Sequence, residues 1–315
     1  MQRLLLKWYQ DNKKTIWIVI LIIILAIGTI KIFNNSYKNK KIETKTNTES
    51  VKNEINNEIS GKLESTKSLV SNESVTKEEL KSDTKIIDEF LKYCMSNEFD
   101  KAYQLLTDEC REVKYDSLEK FEKLYCASAF DVGKSYSIQN WENRTYQVNI
   151  NDDALATGKI SSNTENIQDY ITVLEGKLNI GNYIGRNYIR KSKEEDGITI
   201  DVIYKDIYMD YEVYNVKVTN NSNETILVDD EKKVDSIYLE DEKNVKENVL
   251  TGEVLYSDMM IESRHFKTYK FKFANVYSTD RRIRTIAFKR VVVNYSDYLN
   301  DNLKEKIIKE FYINI

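Results

Sequence analysis

Arg281, Arg282, Arg284, Lys289 and Arg290 are the residues whose type and spacing most invite chemistry, and that chemistry is anion binding. They sit in a window, 264–290, that holds nine Lys or Arg and a single acid, Asp280. Clustered cations raise the local concentration of counter-charge, so the window fits lipid headgroups, an acidic wall polymer or an acidic protein partner. Upstream, 229–247 holds eight acids and four lysines. Pairing of these two windows across neighbouring strands is therefore the competing expectation. Nucleic acid is not expected as a partner, because few aromatics interleave with the basic residues along an obvious groove.

No pattern of catalytic residues stands out. The only histidine, His265, has no cysteine near it in sequence to complete a zinc set and is expected on an exposed strand. Gly133-Lys134-Ser135 resembles the end of a phosphate loop, but Ser128 stands where that loop requires glycine. The stretch "DDEKKVD" lacks the turn glycine and final Glu of a calcium loop. The sequence thus points to no catalytic, metal or cofactor-binding residue, to no cofactor, and to a protein that is not an enzyme. Cys94, Cys110 and Cys126 match no metal spacing; they are expected as buried small hydrophobes, with Cys94–Cys110 pairing open if their helices lie side by side.

The elements that position these residues follow from periodicity. Ile86, Ile87, Phe90, Leu91 and Cys94 share one helical face, Phe99, Ala102, Tyr103, Leu106 and Cys110 a second, and Leu118, Phe121, Leu124 and Tyr125 a third. After Gly133 the period shortens to that of strands, at 135–139, 145–149, 167–174 and 177–184, the last two joined by a turn at Glu175-Gly176. From Gly197 strands dominate, at 198–204, 214–218, 237–240, 266–273 and 283–293. Leu303, Ile307, Ile308 and Phe311 have helical spacing, so a closing amphipathic helix is expected, with a terminal strand as the alternative. The predicted fold class is α+β followed by an all-β sandwich.

Ahead of these domains, "TIWIVILIIILAIGTIKIF" (15–33) comes close to the ~20 apolar residues needed to cross a bilayer. No small-residue cleavage pattern follows it, so an uncleaved single-pass signal anchor, a transmembrane helix, is expected. Flanking charges are nearly equal, with Arg3, Lys7, Lys13 and Lys14 before and Lys31, Lys38, Lys40, Lys41 and Lys45 after. Orientation therefore rests on the shortness of the tail, which places 1–14 in the cytoplasm and the C-terminal body outside the cell membrane. Residues 34–83, with nine Lys against nine acids, are expected to be a disordered linker. Within the linker Val51, Ile55, Ile59 and Leu63 recur every four residues, a stripe suited to a short coiled coil and homo-oligomer contact, or to a transient helix without a partner. The absence of proline, nine glycines and 22 tyrosines suggest the codon bias of a low-GC bacterium with a Gram-positive type of envelope.

In 84–184, "FLKYCMSNEFDKAYQLLTDECRE" followed by "DYITVLEGKLNIGNYIG" resembles the cone-shaped fold of the nuclear transport factor two superfamily. In 197–315, "YNVKVTNNSNETILV" and "FKTYKFKFANV" resemble immunoglobulin-like β-sandwiches. The first resemblance implies helices wrapped by an antiparallel sheet. It also implies kinship with assembly proteins of type four secretion and conjugation machines, or a cone that holds a small ligand as a sensor. Some relatives carry an acid–base pair in the cone; Asp152, Asp153 and Tyr170 are the only nominees here, and an acidic turn and a sheet tyrosine account for them. The expected function is a non-enzymatic, membrane-anchored, extracytoplasmic interaction or assembly protein of the cell envelope, partnered by other envelope proteins or by an acidic wall or lipid surface.

Overall fold

The architecture comes from a computed structural model of the chain, which describes residues 62–65, 75–130, 134–152, 167–230, 235–250, 256–277, 281–300 and 307–315. The chain divides into two units, Met1–Asn47 and Thr48–Ile315, and every described residue belongs to the second. The apolar stretch 15–33, the tail before it and Val51, Ile55 and Ile59 lie outside the described residues.

The first long helix, α1 (Lys77–Met95), starts where local chemistry tells it to. Glu79 N donates to Thr76 Oγ1 at 3.2 Å and Thr76 N donates to Glu79 Oε2 at 2.9 Å, a reciprocal cap that satisfies two otherwise orphaned amides. The expectation of a disordered linker up to 83 is therefore corrected at its end. The helical stripe already begins at Leu80, and Lys62–Ser65 forms a strand, β1, that contains Leu63. Short helices α2 (Phe99–Gln104), α3 (Asp108–Lys114) and α4 (Leu118–Phe121) follow. The Thr107 side chain caps α3 and Ser117 caps α4. Helix α4 runs on through a π-helical turn (Glu122–Cys126) into a last α-turn (Ala127–Ala129).

These helices pack on one face of a five-stranded sheet. Its strands β2 (Lys134–Glu142), β3 (Thr145–Asp152), β4 (Ile167–Leu174) and β5 (Lys177–Asn179) are antiparallel neighbours, and β1 adds to β2 in parallel. Alternation does the sorting: Ile138, Tyr146, Val148, Ile150, Ile171 and Val173 point to the helices and are at most 2% exposed, while their neighbours point away. Glu175 and Gly176 both take positive φ (50° and 75°), the geometry that lets a two-residue turn follow strand twist. The expected hairpin is there.

Next come β6 (Tyr183–Glu195), β7 (Ile198–Tyr208), β8 (Tyr211–Asn220), β9 (Ile226–Leu227), β10 (Ile237–Asp241), β11 (Lys246–Asn248), β12 (Met260–Ile261), β13 (Phe266–Ala274), β14 (Ile283–Val292) and β15 (Ile308–Asn314), with the short α5 (Tyr295–Tyr298) after β14. One sheet has the order β13-β8-β7-β6; the other has β11-β10-β14-β9-β12, with β15 also paired to β14. Ile200, Val202, Val216 and Phe271 from the first sheet meet Leu239, Ile286, Phe288 and Phe311 from the second in one core. The β6–β7 ribbon is long enough to serve both cores. Ile198 and Ile200 lie in the sandwich, whereas Tyr183 and Tyr208 at its other end pack with the helices. Residues 185–196, left unassigned between the two sequence-expected domains, are thus strand and turn.

The α+β assignment headed by a transmembrane helix is corrected by this architecture. The described residues are 50% strand and 24% helix, mostly in antiparallel sheets, and among them no helix is long and apolar enough to cross a membrane. The closing helix expected from Leu303, Ile307, Ile308 and Phe311 is likewise corrected. Ile308–Asn314 pairs with β14 and buries Phe311 and Ile313 with period two. Cross-strand pairing with an already apolar β14 outweighed the weak helical spacing.

Candidate functional site

The five cations singled out in the sequence do not form one patch. At about 3.3 Å per residue an extended strand separates Arg281 from Arg290 by roughly 30 Å. Arg281 Nε lies 3.7 Å from Asp241 Oδ2, and its Nη1 donates to Asn275. Arg284 Nη2 pairs with Glu240 and donates to Asn244 Oδ1 at 3.1 Å. Lys289 Nζ sits 5.6 Å from the Tyr238 ring centroid. Arg290 is inside the sandwich, where Nε and Nη2 grip both carboxylate oxygens of Asp230 at 2.6 Å. Arg282 is exposed and gives its carbonyl to Glu242 N. The acidic and basic windows therefore meet strand to strand. Hydrogen bonds from Val245 N and Lys243 N, then the Arg281 charge, hold Asp241 below the ordinary carboxylate range.

Buried carboxylates repeat this pattern of holding elements together. Asp83, wholly buried on α1, receives Arg144 Nε at 2.9 Å and Tyr146 OH at 3.0 Å and so ties the helix to the β2–β3 hairpin. Asp206 receives Arg186 Nε at 2.8 Å and Tyr183 OH at 3.0 Å; Arg186 reaches on to Glu112 of α3 at 3.0 Å. Asp169 takes four donors: Tyr125 OH (2.8 Å), Tyr170 N (2.8 Å), Asn182 N (2.9 Å) and Gly181 N (3.1 Å). Burial pushes its acid up, against the pull of those hydrogen bonds, and burial also pushes the Tyr125 phenol well up. Gly181 takes φ +67°, and a Cβ there would meet Tyr115 Oη at 2.8 Å, so the turn that feeds Asp169 needs glycine.

The remaining candidates lie apart from one another. Asp152 ends β3 and Asp153 lies outside the described residues, so no acid–base pair with Tyr170 is formed by described side chains. His265 precedes β13, is exposed, and its Nδ1 lies 2.8 Å from Ser263 O. All three cysteines are buried and free. The neighbour of Cys94 is Cys126, with sulfurs 3.4 Å apart, in place of the Cys94–Cys110 contact left open by the sequence. Burial raises the Cys110 thiol to about 12 and the Cys94 thiol further. Among the described residues no group of three His, Cys, Asp or Glu could hold a metal.

Two outward sheet faces escaped sequence reading. On the sandwich, the Arg186 guanidinium lies 3.9 Å from the Tyr204 ring centroid, Tyr188 sits edge-on to Tyr204 at 6.1 Å, and Arg190 lies 5.2 Å over Tyr188. Nearby, Lys272 Nζ is 4.2 Å over Tyr211, whose ring stacks on Tyr208 at 4.2 Å. On the five-stranded sheet, Trp141, 41% exposed, packs edge-on against Tyr170 at 5.3 Å on the side away from the helices. Period-two register is the signal that groups these residues, and the charge runs overshadow it.

No family model, curated protein or solved structure matches this chain. The likenesses to the nuclear transport factor two superfamily and to immunoglobulin-like sandwiches gain no support from those comparisons.

Proposed function

We propose that this chain is a non-enzymatic interaction or assembly protein of a bacterial cell envelope, held at the membrane by its apolar segment 15–33 with the folded body outside. One observation favours assembly over small-ligand sensing: the space between helices and sheet is filled by its own rings. Phe90, Phe121, Tyr115 and Tyr125 are each at most 7% exposed. Their centroids lie 5.6–6.2 Å apart, with Phe121 and Tyr125 stacked at 5.7 Å. A ligand cone would leave that volume to a guest. Aromatic side chains face outward instead at Trp141, Tyr188 and Phe266, which are 41%, 51% and 60% exposed. Such residues are the ones enriched where partners dock. The tether reading rests on the length of the apolar stretch and the polar, charge-balanced residues after it.

Truncation tests the tether. The full chain is expected in the membrane fraction, resistant to high-salt and carbonate washing, whereas a chain lacking residues 1–33 is expected in the soluble fraction with an unchanged thermal transition. Full-length chain released by salt alone would overturn the reading.

A further inference from the structure

We propose that the outward face of β2, β3 and β4 binds a neutral glycan strand. Register places Ser137, Asn149 and Gln168 side by side in one row, and Gln139, Gln147 and Tyr170 in the next. Trp141 continues the face, set edge-on to Tyr170 at 5.3 Å. Ten outward positions on these strands carry no charge. At the chain's 31% charged content, about three charges would be expected among them. That absence is local, because the outward face of the sandwich carries Arg190, Lys270 and Lys272.

The occupant follows from the chemistry. Amides and hydroxyls offer donors and acceptors at fixed spacing, which match the hydroxyl and acetamido groups of a sugar chain. The apolar faces of sugar rings pack on aromatic rings, here Trp141 and Tyr170. An uncharged face gives an anionic polymer or anionic membrane nothing to neutralise, so the occupant is a neutral β-linked glycan. Residues two apart on one strand stand about 6.7 Å from each other, so an extended chain can engage several rows at once. This deepens the proposed envelope role and rests on that reading for where glycan is met. Binding by the purified chain tests the face itself, whatever its location.

The experiment uses the full chain in nanodiscs titrated with N-acetylglucosamine hexamer and with cellohexaose. Saturable binding to at least one hexamer is expected, weakened about tenfold or more in Trp141→Ala and in Tyr170→Ala with melting unchanged. Gln147→Lys, which adds a charge and keeps both rings, is expected to weaken it as well, and it decides the matter if an aromatic variant unfolds. Three results would overturn the proposal: no binding to either hexamer, binding indifferent to these substitutions, or a dimer of the chain that Trp141→Ala dissociates.

Discussion

Asp169→Ala is expected to cost about 3–5 kcal/mol of folding stability, among the largest single losses available in this chain. The carboxylate sits where β4, the Gly181-Asn182 turn and the π-helical turn converge, and its removal orphans Tyr125 OH and the amides of Tyr170, Gly181 and Asn182. Each buried donor left without an acceptor costs about 1–3 kcal/mol. At about 2–4 °C per kcal/mol for a body of this size, the melting temperature should fall by roughly 6–20 °C. Asp169→Asn should recover about half of this, because one oxygen still accepts while the new amide confronts Gly181 N–H. Calorimetry on the three proteins reads the effect; a fall under about 3 °C for the alanine variant would sink this role.

The pH dependence carries a sign. Burial raises the folded-state acid of Asp169 above its ordinary value, so the folded state binds its proton more tightly than the unfolded chain does. The stability contributed by that proton is complete below the unfolded value, about 3.9, and declines as pH rises through the folded value. Asp169→Asn cannot titrate and should lack this slope in the acid limb of a stability–pH curve.

Arg290→Ala is expected to cost about 3–5 kcal/mol, while Arg284→Ala on the same strand should cost about 1 kcal/mol or less. Arg290 is 10% exposed against a wholly buried Asp230, which also receives Tyr298 OH at 3.0 Å. Removing the guanidinium leaves a carboxylate deprived of its bidentate partner inside the sandwich. The Arg284 side chain is 50% exposed, and its pairing with Glu240 is screened by solvent. Arg290→Met combined with Asp230→Leu should recover most of the loss, since no charge is then left inside. Urea unfolding distinguishes these outcomes, and equal losses for Arg284→Ala and Arg290→Ala would refute the distinction between a surface cation and a buried clamp.

That contrast shows what was legible in sequence. Charge runs identified the cations but not their neighbours, because a run of residues on a strand is a line through the molecule and its partners come from β10 and the segment before it. Periodicity located α1, the Glu175-Gly176 hairpin and most sandwich strands, since burial on one face leaves its mark at period 3.6 or 2. The start of α1 was missed although Thr76 and Glu79 spell its cap. Asp83, Asp169 and Asp206 were invisible as locks: each owes its role to donors 12 to 63 residues away, and a single buried acid has no local signature. Strand β15 was obscured by a helix-like spacing that its pairing with β14 overrode.

The central claim is that the folded body works outside the cell while tied to the membrane. Protease added to intact cells that carry the full chain, tagged at each end, tests it directly. The account predicts digestion of the C-terminal tag and body with a protected N-terminal tag fragment. A body that resists protease until the membrane is ruptured would contradict it.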